Sequence, residues 1–266
     1  MRCLFLNNGY CRQLMALVDR RTWRITPFHA VFLAVEHPRL GWVLIDTGYG
    51  ERFHAATARW PYRLYRLATP VYATEPAAAV LRRRGIDPEE IRHIIVTHFH
   101  ADHVGGLAEF PRARIYHTAE ALAPLRELTP FQQTRHAFLP GLVPGDLAQR
   151  STAIPLAAFV PDPGLGFARH DVFGDGSIHL VDLPGHAPGH VGVQLETDAG
   201  PLLYAVDAFW NARQIREDIA PLPPARLAIH DFAAYDRTIG RLRELRRAGS
   251  NLVACHCPTT QALISP

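Results

Sequence analysis

Lysine is absent from all 266 residues, so each of the 28 basic side chains is an arginine. That absence removes a Schiff-base lysine, a phosphate-gripping P-loop lysine and a lysine general base from the candidate chemistries. Cysteine is scarce: four in a chain of this size make no disulfide framework, and reduced thiols are expected, although Cys3 and Cys11 could pair. No apolar run is long enough to span a bilayer. The opening Met1-Arg2-Cys3-Leu4-Phe5-Leu6 turns polar at Asn7, too soon for a signal peptide. A cytoplasmic chain with no membrane role is therefore expected. A formal charge of only +3, with arginines scattered among 25 acids, argues against a nucleic-acid partner. Hydrophobic content of 48% and charged content of 20% are ordinary globular values, which excludes general disorder.

The first half reads as strands feeding helices. Apolar runs at 28–35 and 42–45 flank His37-Pro38-Arg39-Leu40-Gly41, a hairpin signature, and Asp46-Thr47-Gly48 closes the second run. Thr74-Glu75-Pro76 predicts a capped helix over 77–84 that stops at Gly85. Asp87-Pro88-Glu89-Glu90 reads as a capping box before a buried strand at 93–97. The second half predicts short strands at 178–183, 191–196, 201–206 and 252–255. Asp231 is expected to cap a long helix with an apolar stripe of Tyr235, Ile239, Leu242 and Leu245. Two stretches match no core element, the aromatic-rich 49–72 and the proline-rich 129–167. Both are expected to be ordered loops over a site or contacts of a homodimer.

Histidine carries the chemistry. Thr97-His98-Phe99-His100-Ala101-Asp102-His103 places three imidazoles and a carboxylate close together at the C-terminal end of a predicted strand. Imidazole nitrogen and carboxylate oxygen are the ligands that zinc and similar borderline cations favour. At this chain's own frequencies, HxHxDH should arise by chance in about two or three per thousand such sequences. The spacing suits two adjacent ions better than one. Downstream, His186 lies in the rigid turn Pro184-Gly185-His186-Ala187-Pro188-Gly189-His190. Asp207 and His256 each end an apolar run, where an isolated carboxylate is expensive to bury unless something positive meets it.

This order of motifs, from Asp46-Thr47-Gly48 to His256, resembles the metallo-β-lactamase fold superfamily over nearly the whole chain. The resemblance implies an αβ/βα sandwich: two mixed β-sheets flanked by helices, in one domain over 1–266, with insertions at 49–72 and 129–167. It implies that His98, His100 and His186 bind one metal, that Asp102, His103 and His256 bind a second, and that Asp207 bridges them. Two divalent ions are implied, Zn²⁺ first, with Fe, Mn or Co as alternatives. Asp46 would orient a ligand imidazole, or else cap the turn at Thr47-Gly48. Cys255 and Cys257 flank His256 and thiolates also ligate metals, but strand alternation should aim both away from whatever His256 faces. The other histidines, including His117, His179 and His190, are expected in turns or on the surface.

Paired cations of this kind imply hydrolysis, in which a bridging hydroxide opens a lactone or cleaves a carboxylic ester. Asp102 and Asp207 are the catalytic carboxylates on this reading, with Asp102 relaying a proton to the departing oxygen. Within the superfamily the chain looks most similar to N-acyl-homoserine lactonases. Those enzymes commonly carry a tyrosine three residues after the bridging aspartate, where this chain has Trp210. Phe209 and Trp210, with the aromatics of 49–72, suggest an apolar pocket for an acyl chain or aromatic ester; core filler is the competing use of such rings. The alternatives are a glyoxalase II-like thioesterase or phosphodiesterase, and a mononuclear iron persulfide dioxygenase.

Overall fold

The computed structural model describes residues 1–72, 75–219 and 221–264. The chain begins with two long strands, β1 (Arg2–Leu14) and β2 (Ile25–His37), and a short β3 (Gly41–Ile45). Helices α1 (Arg52–Ala56) and α2 (Arg63–Ala68), strand β4 (Val71–Tyr72) and helix α3 (Ala77–Arg83) follow. Next come β5 (His93–Ile95), α4 (Ala101–Val104), β6 (Arg114–Thr118), α5 (Ala119–Arg126), α6 (Pro130–Arg135), α7 (Leu147–Arg150) and β7 (Ser151–Ile154). The second half holds β8 (Val160–Asp162), β9 (Phe167–Asp171), β10 (Ile178–Asp182), β11 (Val191–Thr197) and β12 (Gly200–Val206). It ends with α8 (Ala212–Arg216), α9 (Phe232–Arg247), β13 (Leu252–Ala254) and α10 (Pro258–Gln261).

The strands form two mixed sheets, ordered β4-β1-β2-β3-β5-β6-β7 and β13-β12-β11-β10-β9-β8. In the first, β3, β5, β6 and β7 run parallel. In the second, β10 and β12 are each antiparallel to β11, and β12 is parallel to β13, so β10, β12 and β13 all point the same way. Alternation along the strands divides the core. Val31, Leu33 and Val35 of β2 pack with Val193, Tyr204 and Val253 between the sheets. Ala30, Phe32 and Ala34 face the other way, into a cluster shared with the helices. This two-sided burial explains why the strands read as near-continuous apolar runs. On the far sheet, α9 lays Tyr235, Ile239, Leu242 and Leu245 into the same outer cluster, with Asp231 accepting from the N–H of Ala234 at 3.0 Å.

Residues 2–14 form a full strand, in which a register shift between Asn7 and Tyr10 absorbs Asn-Asn-Gly. Three local expectations change. The stretch 129–167 contributes β7 and β8, which lie at sheet edges; β8 tolerates Pro161 there because an edge strand can forgo a ladder donor. The stretch 49–72 folds into α1, α2 and β4. Asp87 caps only a single 3₁₀ turn, through the N–H of Glu89, without the reciprocal bond of a capping box. Thr74 lies outside the described residues, and Pro76 occupies the cap position of α3. Among the described residues no helix is long and apolar enough to cross a membrane. All four cysteines are free thiols.

Candidate metal centre

Because β3 and β5 run together in one sheet, and β10, β12 and β13 in the other, their C-terminal ends gather at a common rim. The site is assembled there. Asp46 follows β3, and His98, His100, Asp102 and His103 follow β5. His186 follows β10, Asp207 follows β12 and His256 follows β13. Two of these exits are strained: Asp46 has φ 61° and Val206, just before Asp207, has φ 54°. The left-handed region is uncommon for any residue with a Cβ, most of all for a β-branched valine, and costs on the order of 1–3 kcal/mol at each position. The Val206 conformation is held by its carbonyl, which accepts from the Cys255 N–H at 2.8 Å.

The seven side chains expected around a metal pair converge. Ligand atoms of His98, His100, His186 and Asp207 all lie within 4.8 Å of one another. His186 Nε2 is 3.0 Å from His100 Nδ1 and 3.3 Å from Asp207 Oδ2. On the other side, His256 Nε2 lies 3.2 Å from both Asp207 Oδ2 and Asp102 Oδ2. His103 Nε2 lies 3.7 Å from the same two oxygens. Asp207 is common to both groups.

Remote nitrogens of three imidazoles are anchored, which aims the near ones inward, whereas His186 Nδ1 is buried with no partner among the described residues. His103 Nδ1 pairs with Asp46 Oδ2 at 2.7 Å, and His256 Nδ1 donates to the His29 carbonyl at 2.8 Å. Asp46 also accepts from the Thr97 N–H and hydroxyl, and the Thr97 oxygen meets His98 Nδ1 at 3.2 Å. Asp46 thus orients imidazoles instead of capping its own turn. The consequence is a set of exposed lone pairs in a dry place: His98 Nε2, His103 Nε2 and Asp207 Oδ1 are buried with no hydrogen-bond partner among the described residues. Such orphans are costly. Divalent cations bound by nitrogen and oxygen fit them.

Electrostatics divides the group. Burial, with the neighbouring imidazoles, pushes His98 and His186 well below the ordinary histidine range; burial takes His100 down to about 4, so all three are neutral. Burial opposes charge on His103 and His256 as well, but nearby carboxylates outweigh it and raise both. Burial works to raise Asp102 and Asp207; His103 and His256 outweigh it and hold both below the usual carboxylate value.

A cavity of about 470 Å³ opens over the site, with His100, Asp102, His186, Asp207 and His256 among its lining residues. Its walls are largely apolar, drawing Leu17, Phe28, Leu64 and Ala225 from four parts of the chain. Tyr49, Tyr65 and Thr69 bring the aromatic stretch to it, and Thr134, Arg135 and Ala137 bring the proline-rich one. Trp210 lines the cavity with its ring edge-on to His186 at 5.5 Å. Phe209 does not line it: that side chain is buried in the outer core cluster, so its expected substrate contact is withdrawn.

Three further expectations are corrected. His190 is fully buried beside the site, where Nδ1 meets the Leu183 carbonyl at 2.9 Å and Nε2 accepts from the Asp207 N–H. His117 is also buried, and pairs with the Thr118 carbonyl. Cys257 turns away as alternation requires and accepts from the Ala212 N–H. Cys255 does not turn fully away: its sulfur lies within 4.8 Å of ligand atoms of His103, Asp207 and His256, while donating to the Val31 carbonyl. β13 ends at Ala254, so Cys255 and His256 lie in the bend beyond it, where strand alternation no longer sets side-chain direction.

The chain is similar in sequence or in fold to several known proteins. The chain resembles a probable metallo-hydrolase of Mycobacterium tuberculosis, 32% identical over 64% of this chain and 54% of that protein. It thus spans about half the length of that relative. It also resembles the N-acyl homoserine lactonase AttM of Azorhizobium caulinodans, 28% identical over 85% of this chain and 81% of the relative. Among solved structures, B. thuringiensis AiiA with N-decanoyl-L-homoserine at its active site superposes with TM-score 0.70 at 19% identity, covering 98% and 94% of the two chains. The dizinc quorum-quenching lactonase AidC gives TM-score 0.69 at 15% identity, covering 96% and 87%. A profile of the metallo-beta-lactamase superfamily matches residues 26–255, and the chain belongs to that superfamily.

Proposed function

We propose that the chain is a dinuclear metal-dependent hydrolase that opens a lactone or cleaves a carboxylic ester carrying an apolar acyl group. The observation that carries this reading is Asp207, whose carboxylate lies within reach of both ligand groups beneath an apolar cavity. His98, His100 and His186 would hold one cation, Asp102, His103 and His256 the other, with Asp207 between them. When bound, such a pair supplies Lewis-acid polarisation of a carbonyl and a hydroxide nucleophile near neutral pH. The protein's own contribution is placement. Asp102 lines the cavity and lies 3.2 Å from His256, a position from which its carboxylate can carry a proton to a departing alkoxide. The apolar walls exclude water and take up the acyl chain. The lactonases among the relatives favour lactones within this class.

The test is metal analysis of protein purified without added metal, joined to a panel of lactones, aryl esters, thioesters and phosphodiesters. About two zinc-like ions per chain, with turnover of lactones or esters, is the expected result. A single iron with oxygen uptake overturns it. Asp207→Ala and His100→Ala should each lose turnover and bound metal while keeping the far-ultraviolet circular dichroism of the parent. Full activity in a metal-depleted variant refutes the reading.

A further inference from the structure

Three protic side chains stand near the site with no part in holding metal. Cys11 of β1, Tyr49 from the turn after β3 and Tyr65 of α2 line the same cavity as Asp102 and His256. The Tyr49 hydroxyl neighbours both the Cys11 thiol and the Tyr65 hydroxyl, and the Asp102 carboxylate is close enough to bear on all three. They differ in freedom. Tyr49 is 1% exposed and its hydroxyl is enclosed by those neighbours. Cys11 is buried and a weak donor. Tyr65 is only partly buried, with its ring packed edge-on against Phe53 at 6.1 Å and another edge on the cavity.

An ester or lactone with an alkyl oxygen is hard to cleave because the departing alkoxide is strongly basic. A hydrogen bond to that oxygen lowers the barrier; an aryl oxide or thiolate leaves without such help. Trp210 offers only an indole N–H, and its ring stands against His186. We propose that Tyr65 is the hydrogen-bond donor to the departing oxygen of the substrate, beside Asp102, and that the site is therefore built for alkyl-oxygen esters and lactones. Burial, reinforced at Tyr49 by Cys11 and Asp102 and at Tyr65 by Asp102 and Cys11, raises both phenols well above the ordinary tyrosine value. This inference rests on the hydrolase reading above.

The experiment compares the parent chain with Tyr65→Phe, both loaded with zinc and assayed for bound metal, on γ-decanolactone and p-nitrophenyl decanoate. Both substrates are esters of a ten-carbon acid; the lactone departs as a secondary alkoxide and the aryl ester as a nitrophenoxide. Tyr65→Phe should lose about 10–100-fold in kcat/KM on the lactone and less than about threefold on the aryl ester, with metal content unchanged. Equal losses on both would make Tyr65 a packing residue, and no loss on either would remove it from the reaction; each overturns the proposal. So does a leaving-group dependence carried by Trp210→Phe instead. Should the parent cleave neither substrate, the hydrolase reading fails separately. Calorimetric binding of γ-hydroxydecanoate to zinc-loaded protein then judges Tyr65: affinity about five- to tenfold weaker in Tyr65→Phe supports the donor role, and equal affinity overturns it.

Discussion

The carboxylate of Asp46 meets His103 Nδ1 at 2.7 Å, and both side chains are sealed from solvent. The contact fixes the tautomer of His103 and turns its Nε2 toward Asp102 and Asp207. The same carboxylate takes both protons that Thr97 offers, and so ties β3 to the loop carrying His98. Asp46→Ala should therefore weaken metal binding by about 10–100-fold while every direct ligand remains in the chain. Competition against a chromophoric chelator measures this. Unchanged affinity would restrict Asp46 to bracing Thr97.

Trp210 occupies the position where similar lactonases commonly place a tyrosine, and it forms part of the cavity wall. Replacing indole with phenol removes ring volume and adds an ionisable hydroxyl. Trp210→Tyr should keep the parent's metal content and shift the ratio of kcat/KM between a lactone and an aryl ester by about tenfold, the worth of one hydrogen bond. Loss of metal would show that the side chain braces His186 through their 5.5 Å edge contact.

The candidate metal-binding side chains were legible because each sits at or just beyond the end of an apolar run. A run such as Leu202-Leu203-Tyr204-Ala205-Val206 reads as a buried strand, and the polar residue after it must meet something. HxHxDH adds a local pattern that no core requires. His190 was not legible, because its use depends on the Asp207 N–H, which only the packing of β11 against β12 brings near. Tyr65 looked like one aromatic among several: Trp60 and Tyr72 of the same stretch are exposed, Phe53 is core, and Tyr49 and Tyr65 reach the cavity. Nothing in their spacing separates these fates. Likewise β7 and β8 carry short runs beside prolines, a pattern that edge strands share with loops.

Gly185 allows the turn before His186 to touch α9. Its φ is 126°, and a Cβ there would stand 2.2 Å from the backbone nitrogen of Tyr235 and 2.4 Å from its Cα. The turn is pinned on both sides, because the Gly185 and His186 carbonyls accept from the Asp231 and His230 N–H groups. Backbone cannot yield as a flexible side chain would. Gly185→Ala should cost about 2–4 kcal/mol and loosen His186, lowering both the urea midpoint and metal affinity. A midpoint matching the parent would mean that the turn and α9 separate easily.

Asp182 ends β10 without an obvious partner: its Oδ1 is buried and accepts no hydrogen bond among the described residues. Burial, with Glu120 adding like charge, raises its carboxyl from 3.8 to about 6. The folded chain therefore holds this proton more tightly than the unfolded one. The linkage sign follows: between about pH 4 and 6 the folded state binds more protons, so stability falls as pH rises through that window and is level above it. Asp182→Asn removes the ionisation. Because the group is only half-buried, solvent screening leaves about 1 kcal/mol of the effect, or about 2–4 °C in Tm, present at pH 7–8 and vanishing below pH 4. Calorimetric scans of parent and variant across pH 3.5–8 should converge at the acid end and separate above pH 6. Curves that run parallel throughout would show that Asp182 keeps an ordinary carboxylate in the folded chain.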